Sequence, residues 1–330
     1  MPVTMRDVAR KAGVSIKTVS RVVNEQGEIS EDTRQRVLAM IKKLGYRPNM
    51  IARGLVTQRT YTIGLVFPDI TNPFFPEVAR GVQDVARARD YNIFLCNTDE
   101  DQQEELRALH SLAAQGVDGI IIFPCYDTNK NLNTFAAEYR PIVTINHVTE
   151  HPNIGRVLTE NYQGAKLAVD YLVRQGRREI GMLAGLESSP QRGRRVHGFL
   201  DALAAHGIPV VKQHIVPGWP TLESGYEATL GLLRQDPQVT AIFAYNDLLA
   251  LGAIKACKEL GRRIPADCAI IGFDDIQLAS LVTPSLTTIR LDKYLLGQQA
   301  MTRVLEMLDQ PEAVFPPIFL DVELVIRESA

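Results

Sequence analysis

The 330-residue chain has one tryptophan, four cysteines and six histidines, and no run of 18 consecutive apolar residues. Each scarcity excludes something. Without a long apolar run there is no candidate membrane-spanning helix. The opening MPVTMRDVAR lacks the apolar segment of an export signal, so a cytoplasmic location is expected. Cys96, Cys125, Cys257 and Cys268 have no metal-ligand spacing and lie in or near apolar runs; buried free thiols are expected rather than disulfides or zinc. The histidines are scattered, and HExxH, GxSxG and P-loop patterns are absent. No catalytic residue, metal or cofactor is therefore expected. A dinucleotide-binding enzyme would also need a glycine-rich loop after its first strand. Here PDITNPFF follows Phe67, and its Pro and Phe side chains block close backbone approach to a pyrophosphate.

What is present is divided by charge. The net charge of −2 hides +7 on residues 1–60 and −9 on the remainder. A basic module on an acidic body points to a polyanionic partner for the module alone. Within it, TMRDVARKAGVSIKTVSRVVN (4–24) reads as two short helices around a tight turn. Thr4 and Asp7 have capping-box spacing. Val8, Ala9 and Ala12 form one inner face, and Val19, Val22 and Val23 the other. Gly13 supplies the left-handed turn residue, and Ser15 caps the second helix. Ile16, Lys17, Ser20 and Arg21 are left facing outward, as on a helix that enters a DNA groove. Residues 30–44 predict a third helix, capped by Ser30 and ended by Gly45, with Thr33, Val37, Met40, Ile41 and Leu44 inward. The short segment that follows, from Pro48 to Leu55, is too short to sustain an isolated helix in water.

From Thr62 onward, strands alternate with helices. Strands are expected at 62–67, 92–96, 119–123, 142–146, 179–183, 213–217, 241–245 and 269–273. Helices are expected at 74–89, 102–115, 162–175, 191–206, 222–233, 247–260 and about 292–309, with two terminal strands. This predicts an all-α N-terminal helix-turn-helix headpiece and an α/β core of two doubly wound parallel-sheet subdomains. The expected organisation is a headpiece at 1–46, a hinge at 47–60 and a core at 61–330. Its N-subdomain takes about 61–160 and 291–320, and its C-subdomain about 161–290 and 321–330. A ligand is expected at the carboxyl ends of the strands, in the cleft between subdomains. An exported solute-binding protein would share this pattern, but it would need an export signal and would have no use for residues 1–60.

The chain resembles the lactose-repressor/galactose-repressor (LacI–GalR) family of transcriptional regulators nearly from end to end. The matching motifs are DVARKAGVSIKTVSRVVN (7–24), GYRPNMIARGL (45–55), IGLVFPDITNPFF (63–75), GVDGIII (116–122), ENYQGA (160–165), RRVHGF (194–199), YNDLLALGA (245–253), IPADCAIIGFDD (264–275) and PSLTTIR (284–290). Together and in this order they are specific where each alone is weak.

The resemblance implies a core similar to periplasmic sugar-binding proteins and a homodimer that reads a roughly palindromic operator, with no membrane partner. The hinge helices would pair in the minor groove. It places Leu55 as the apolar wedge between base steps, the alternative being a contact against the core. Thr4, Ser15, Ile16, Lys17, Thr18, Ser20, Arg21, Asn24, Asn49, Ala52 and Leu55 are the DNA-binding candidates. Lys17 can donate to guanine, and Ile16 can contact only a thymine methyl. Arg21 points at a base or a phosphate. Thr18, Ser20 and Asn24 suit phosphates, and Thr4 suits one through its backbone N–H. The effector candidates are Asn72, Phe74, Phe75, Asn146, Arg195, Trp219, Asn246 and Asp274. Their carboxylate, guanidinium and amides match sugar hydroxyls. A purine corepressor is the alternative, sandwiched between Phe74 and Trp219. Core filling is the other reading of Trp219.

Overall fold

The computed structural model describes residues 3–23, 27–46, 59–126, 130–139, 141–149 and 151–330. It divides into two compact units, Met1–Thr60 and Tyr61–Ala330. Asn24, Asn49, Ala52 and Leu55, with most of the expected hinge, fall outside the described residues.

The first unit holds α1 (Met5–Ala12), α2 (Ile16–Val23) and α3 (Glu31–Leu44). Thr4 Oγ1 accepts the Asp7 N–H at 3.3 Å, and Asp7 Oδ2 accepts the Thr4 N–H at 3.1 Å, which closes the capping box. Gly13 ends α1 at φ +65° and returns its N–H to the Ala9 carbonyl, a conformation that strains any L side chain. Ser15 Oγ accepts the Thr18 N–H at 3.0 Å and starts α2. Ser30 departs from expectation. Its hydroxyl donates to Thr33 Oγ1 at 2.9 Å and makes no backbone cap. Glu31 and Asp32 in the first turn supply negative charge at that helix end. Val8, Ala9, Ala12, Val19, Val22, Val37 and Tyr46 form the buried core, with Met40, Ile41 and Leu44 partly buried around it.

The second unit contains β1 (Thr62–Phe67), α4 (Phe74–Arg87), β2 (Asn92–Asn97), α5 (Gln102–Ala114), β3 (Gly119–Ile122), α6 (Lys130–Glu138), β4 (Ile142–Ile145) and β5 (Ile154–Thr159). It continues with α7 (Asn161–Arg174), β6 (Ile180–Gly185), α8 (Pro190–Ala205), β7 (Ile215–Pro217), α9 (Leu222–Gln235), β8 (Ala241–Ala244), α10 (Asp247–Glu259), β9 (Ala269–Asp274) and β10 (Thr287–Leu291). It ends with α11 (Lys293–Asp309), β11 (Ile318–Leu320) and β12 (Val322–Val325). Two six-stranded sheets result, ordered β2–β1–β3–β4–β5–β11 and β7–β6–β8–β9–β10–β12. Neighbours are parallel except β12, which runs antiparallel to β10. The central strands are buried on both faces, as β1, β3, β4, β6, β8 and β9 show.

The chain crosses between sheets after β5, after β10 and between β11 and β12. Helix α11 therefore returns to pack on α4. A Cβ on Gly81 would overlap the Tyr294 carbonyl, and one on Gly297 the Val78 carbonyl, so these two helices meet backbone to backbone. Strand order reverses between β1 and β3 and between β6 and β8, which puts two switch points at facing carboxyl ends.

The strands β5 and β10 and the helix α6 were not expected. Gly155 and Arg156 interrupt the apolar run of β5, Arg290 does so in β10, and α6 is a nine-residue helix with two asparagines. Tertiary partners make these segments regular. The thiols divide too: Cys125, Cys257 and Cys268 are buried, while Cys96, on the edge strand β2, is only partly so.

Candidate functional site

The exposed side of α2 carries Ile16, with 43 % of its surface open, together with Lys17 and Arg21. Val19 and Val22 hold the opposite side in the core and fix the helix rotation. Thr18 is tied to Ser15, Oγ1 to Oγ at 2.9 Å. The Arg21 side chain runs alongside Gly27. Thr4 differs from expectation. Its N–H, offered as a phosphate donor, is held by Asp7, because the capping box uses the same group. Asp7 is also paired with Arg10 at 2.7 Å.

In the second unit a cleft with about 60 Å³ of enclosed space opens between the two sheets' carboxyl ends. Pro68, Asp69, Asn72, Phe74 and Phe75 reach it from the β1–α4 turn, Glu100 from the loop after β2, Phe123 and Pro124 from the end of β3, and Asn146 from the end of β4. The other wall is Gln191 and Arg195 of α8, Pro220 after β7, Tyr245 and Asn246 after β8, and Asp274 at the end of β9. Asn146 (φ +57°), Glu100 (φ +57°) and Asp274 (φ +110°) all sit in left-handed backbone. Such conformations cost free energy and cluster where a site demands them.

Arg195 is buried and organises its wall. Nε donates to Asn161 Oδ1 at 2.8 Å, Nη1 donates to the Tyr245 carbonyl, and Nη2 lies 3.6 Å from Asp274 Oδ1. The guanidinium also lies over the Phe273 and Tyr245 rings, at 3.6 and 4.5 Å. Burial pushes the Asp274 carboxyl up to about 6, with Arg195 and then Lys293 opposing. The fully buried Asp247 beside it is raised well above the usual carboxylate range by burial and by the charge of Asp274. Asp247 accepts from Thr288 Oγ1 at 2.5 Å and from the Ile276 N–H at 2.8 Å. Lys293 Nζ donates to the carbonyls of Asp274 and Asp275, both at 2.8 Å, and stands 3.6 Å from Glu77 of α4. It thereby ties the two walls together.

Two amides are partly committed already. Asn146 Oδ1 accepts from the Thr159 N–H at 2.8 Å and from its hydroxyl at 2.9 Å, so the donors it could offer a ligand are confined to Nδ2. Asn246 Oδ1 caps α10 through the Leu249 N–H at 2.9 Å, and Nδ2 donates to the Pro220 carbonyl at 3.2 Å. The aromatic floor is a set of edge-on contacts: Phe74 lies 5.1 Å from Phe75 and 6.0 Å from Phe123.

Of the eight expected effector residues, Asn72, Phe74, Phe75, Asn146, Arg195, Asn246 and Asp274 come together here. Trp219 does not. It is 55 % exposed, and its neighbour Pro220 lines the cleft in its place. Neither core filling nor a ring facing Phe74 describes it. Asp69, Glu100, Phe123, Gln191 and Tyr245 were missed. All but Gln191 sit at or just past the ends of expected strands, so the carboxyl-end rule held the signal for them.

A helix-turn-helix module joined to a two-lobed α/β unit with an interlobe cleft is the architecture of a ligand-responsive DNA-binding protein. Residues 4–49 match the family described as bacterial regulatory proteins, lacI family, and residues 60–322 match periplasmic binding proteins and sugar binding domain of LacI family. The chain is 39 % identical over 330 residues to catabolite control protein A of Priestia megaterium, covering 100 % of this chain and 99 % of that one. It is 36 % identical to the ribose operon repressor of Halalkalibacterium halodurans, over 99 % of this chain and 96 % of that one. Among solved structures, the lac repressor dimer bound to operator and the anti-inducer ONPF superposes with a TM-score of 0.91 at 31 % identity, over 100 % of this chain and 99 % of that one. The chain belongs to the LacI family of bacterial transcriptional regulators. It is a DNA-binding regulator rather than an enzyme.

Proposed function

We propose that this regulator binds a roughly palindromic operator as a homodimer and that a sugar or sugar derivative in the interlobe cleft sets its operator affinity. In this reading Ile16, Lys17 and Arg21 meet the major groove, and Thr18 and Ser20 meet phosphates. Leu55, with Asn49 and Ala52, acts at the minor groove. Arg195 and Asp274 hold ligand hydroxyls, Asn146 adds a donor, and Phe74 offers an apolar face. Asn246 shapes the wall through α10 and Pro220. The protein acts where its operator is, in the cytoplasm.

The observation that carries the reading is the buried Arg195–Asp274 pair at the cleft wall, 3.6 Å apart and both lining the space. A desolvated donor and acceptor side by side suit vicinal hydroxyls. A sugar is favoured over a purine because the pair invoked for a base sandwich, Phe74 and Trp219, does not meet in the cleft, whereas the polar Arg195–Asp274 pair does. A melting-temperature screen over sugars and nucleobases tests this, since a ligand of the folded state raises the transition by mass action. The stabilising ligand should be a sugar, and its effect should vanish in both Asp274→Ala and Arg195→Ala. Stabilisation retained in both variants would place the effector elsewhere.

A further inference from the structure

Resting on the reading that the cleft holds the effector, we propose that Glu100 sets the charge class of that ligand. The cleft admits a neutral or amino-bearing polyhydroxylated molecule and turns away phosphorylated and other anionic ones. The charged side chains lining it are Asp69, Glu100 and Asp274 against Arg195. Arg195 presents no open fork to an anion: Nε and Nη1 donate to Asn161 and the Tyr245 carbonyl, Nη2 faces Asp274, and rings cover its plane, which leaves single N–H groups for a hydroxyl. A phosphate needs an open guanidinium fork or ammonium. The nearby Lys293 is spent on two backbone carbonyls and Glu77.

Helix starts are the other common phosphate cradle, and two that reach the cleft are already closed. Asn72 Oδ1 accepts the Phe74 N–H of α4 at 3.0 Å, and Asn246 caps α10. The opposite wall is acidic. Glu100 is held at φ +57° with its N–H donated to the Pro68 carbonyl at 3.3 Å. Among the described residues no donor reaches its carboxylate. Asp69 accepts from the N–H and hydroxyl of Thr71, and Glu105 from the N–H of Cys125. Burial, then Asp69, then Glu105 push the Glu100 carboxyl up to about 7. Above about pH 7, where it is ionised, a half-buried acceptor among like charges is stabilised by hydroxyl or ammonium donors and repels a further negative charge, so the contrast is read on the alkaline side of that value.

The test is calorimetric titration of the full chain with matched sets: glucose, glucosamine and glucose 6-phosphate; ribose and ribose 5-phosphate. The expected result is binding of a neutral or amino-bearing member, with its phosphate ester weaker by about tenfold or more, the size of effect a like-charge contact produces. Glu100→Gln should close that gap by about tenfold, and Asp69→Asn should close it less. A phosphate ester binding wild type as tightly as its parent, an unchanged gap in Glu100→Gln, or a set in which nothing binds overturns the proposal. Loss of binding in Asp274→Ala with an unchanged gap in Glu100→Gln overturns it while leaving the cleft reading intact. Binding that survives both Asp274→Ala and Arg195→Ala overturns the cleft reading itself.

Discussion

At the scale of single residues, the cleft concentrates groups whose charge is unfavourable in the folded state. Glu100 moves from an ordinary 4.5 up to about 7, and Asp274 from 3.8 up to about 6, in both cases chiefly through burial. An acid whose folded pKa lies above its unfolded value holds its proton longer in the native state. Stability therefore falls as pH rises through the interval between the two values. For Glu100 that interval is about 4.5 to 7, and for Asp274 about 3.8 to 6. We expect the second unit's melting temperature to decline from about pH 4 to about pH 7, and Glu100→Gln to flatten that decline. Calorimetry across that range measures it; equal slopes in the two proteins would contradict the assigned environment. The same residue is invisible in sequence as a functional group. Glu100 sits in the stretch TDEDQQEE, among four other acidic side chains, and only its backbone conformation and the position of β2 bring it to the cleft.

At the scale of elements, the headpiece was legible because each of its features is local. A capping box spans four residues, the left-handed Gly13 is set by its neighbours, and the inner faces follow helical spacing. Its core is small, with seven buried hydrophobic residues among the described ones, so each one counts. Val19→Ala removes two buried carbons from a fully enclosed site and should cost about 2 kcal/mol of headpiece stability. In a calorimetric scan the transition of residues 1–60 should move down while that of 61–330 stays; a shift of both would contradict two separate cores. Elements whose regularity comes from partners were read less well. The strands β5 and β10 carry charged or glycine interruptions, and their pairing with β4, β11, β9 and β12 is what makes them strands. Asn246 and Asn146 were read as ligand clamps from their strand-end positions. Their local bonds to Leu249, Pro220 and Thr159 show that each also builds the wall it lines.

At the scale of the whole molecule, control requires the cleft to influence the DNA-binding unit through a segment of few residues. Coupling between two such sites is typically about 1–3 kcal/mol, enough to change operator occupancy severalfold to a hundredfold. If Leu55 is the minor-groove wedge, Leu55→Ala should reduce discrimination between operator and unrelated DNA and leave sugar binding in the cleft unchanged. Competition gel-shift and calorimetry on the same preparation read the two effects separately; loss of both would point to a core contact instead. The sequence by itself determined the class of the protein, the basic headpiece and its helix faces, and the alternation of strands and helices, because capping, periodicity and charge act over a few neighbouring residues. Only the tertiary structure decided which strand ends face each other, that the Arg195 fork is turned to its own wall, that Trp219 stands outside, and that Glu100 stands within. Those outcomes depend on three chain crossings and on left-handed backbone at strand ends, where residues far apart in sequence are brought to one desolvated space.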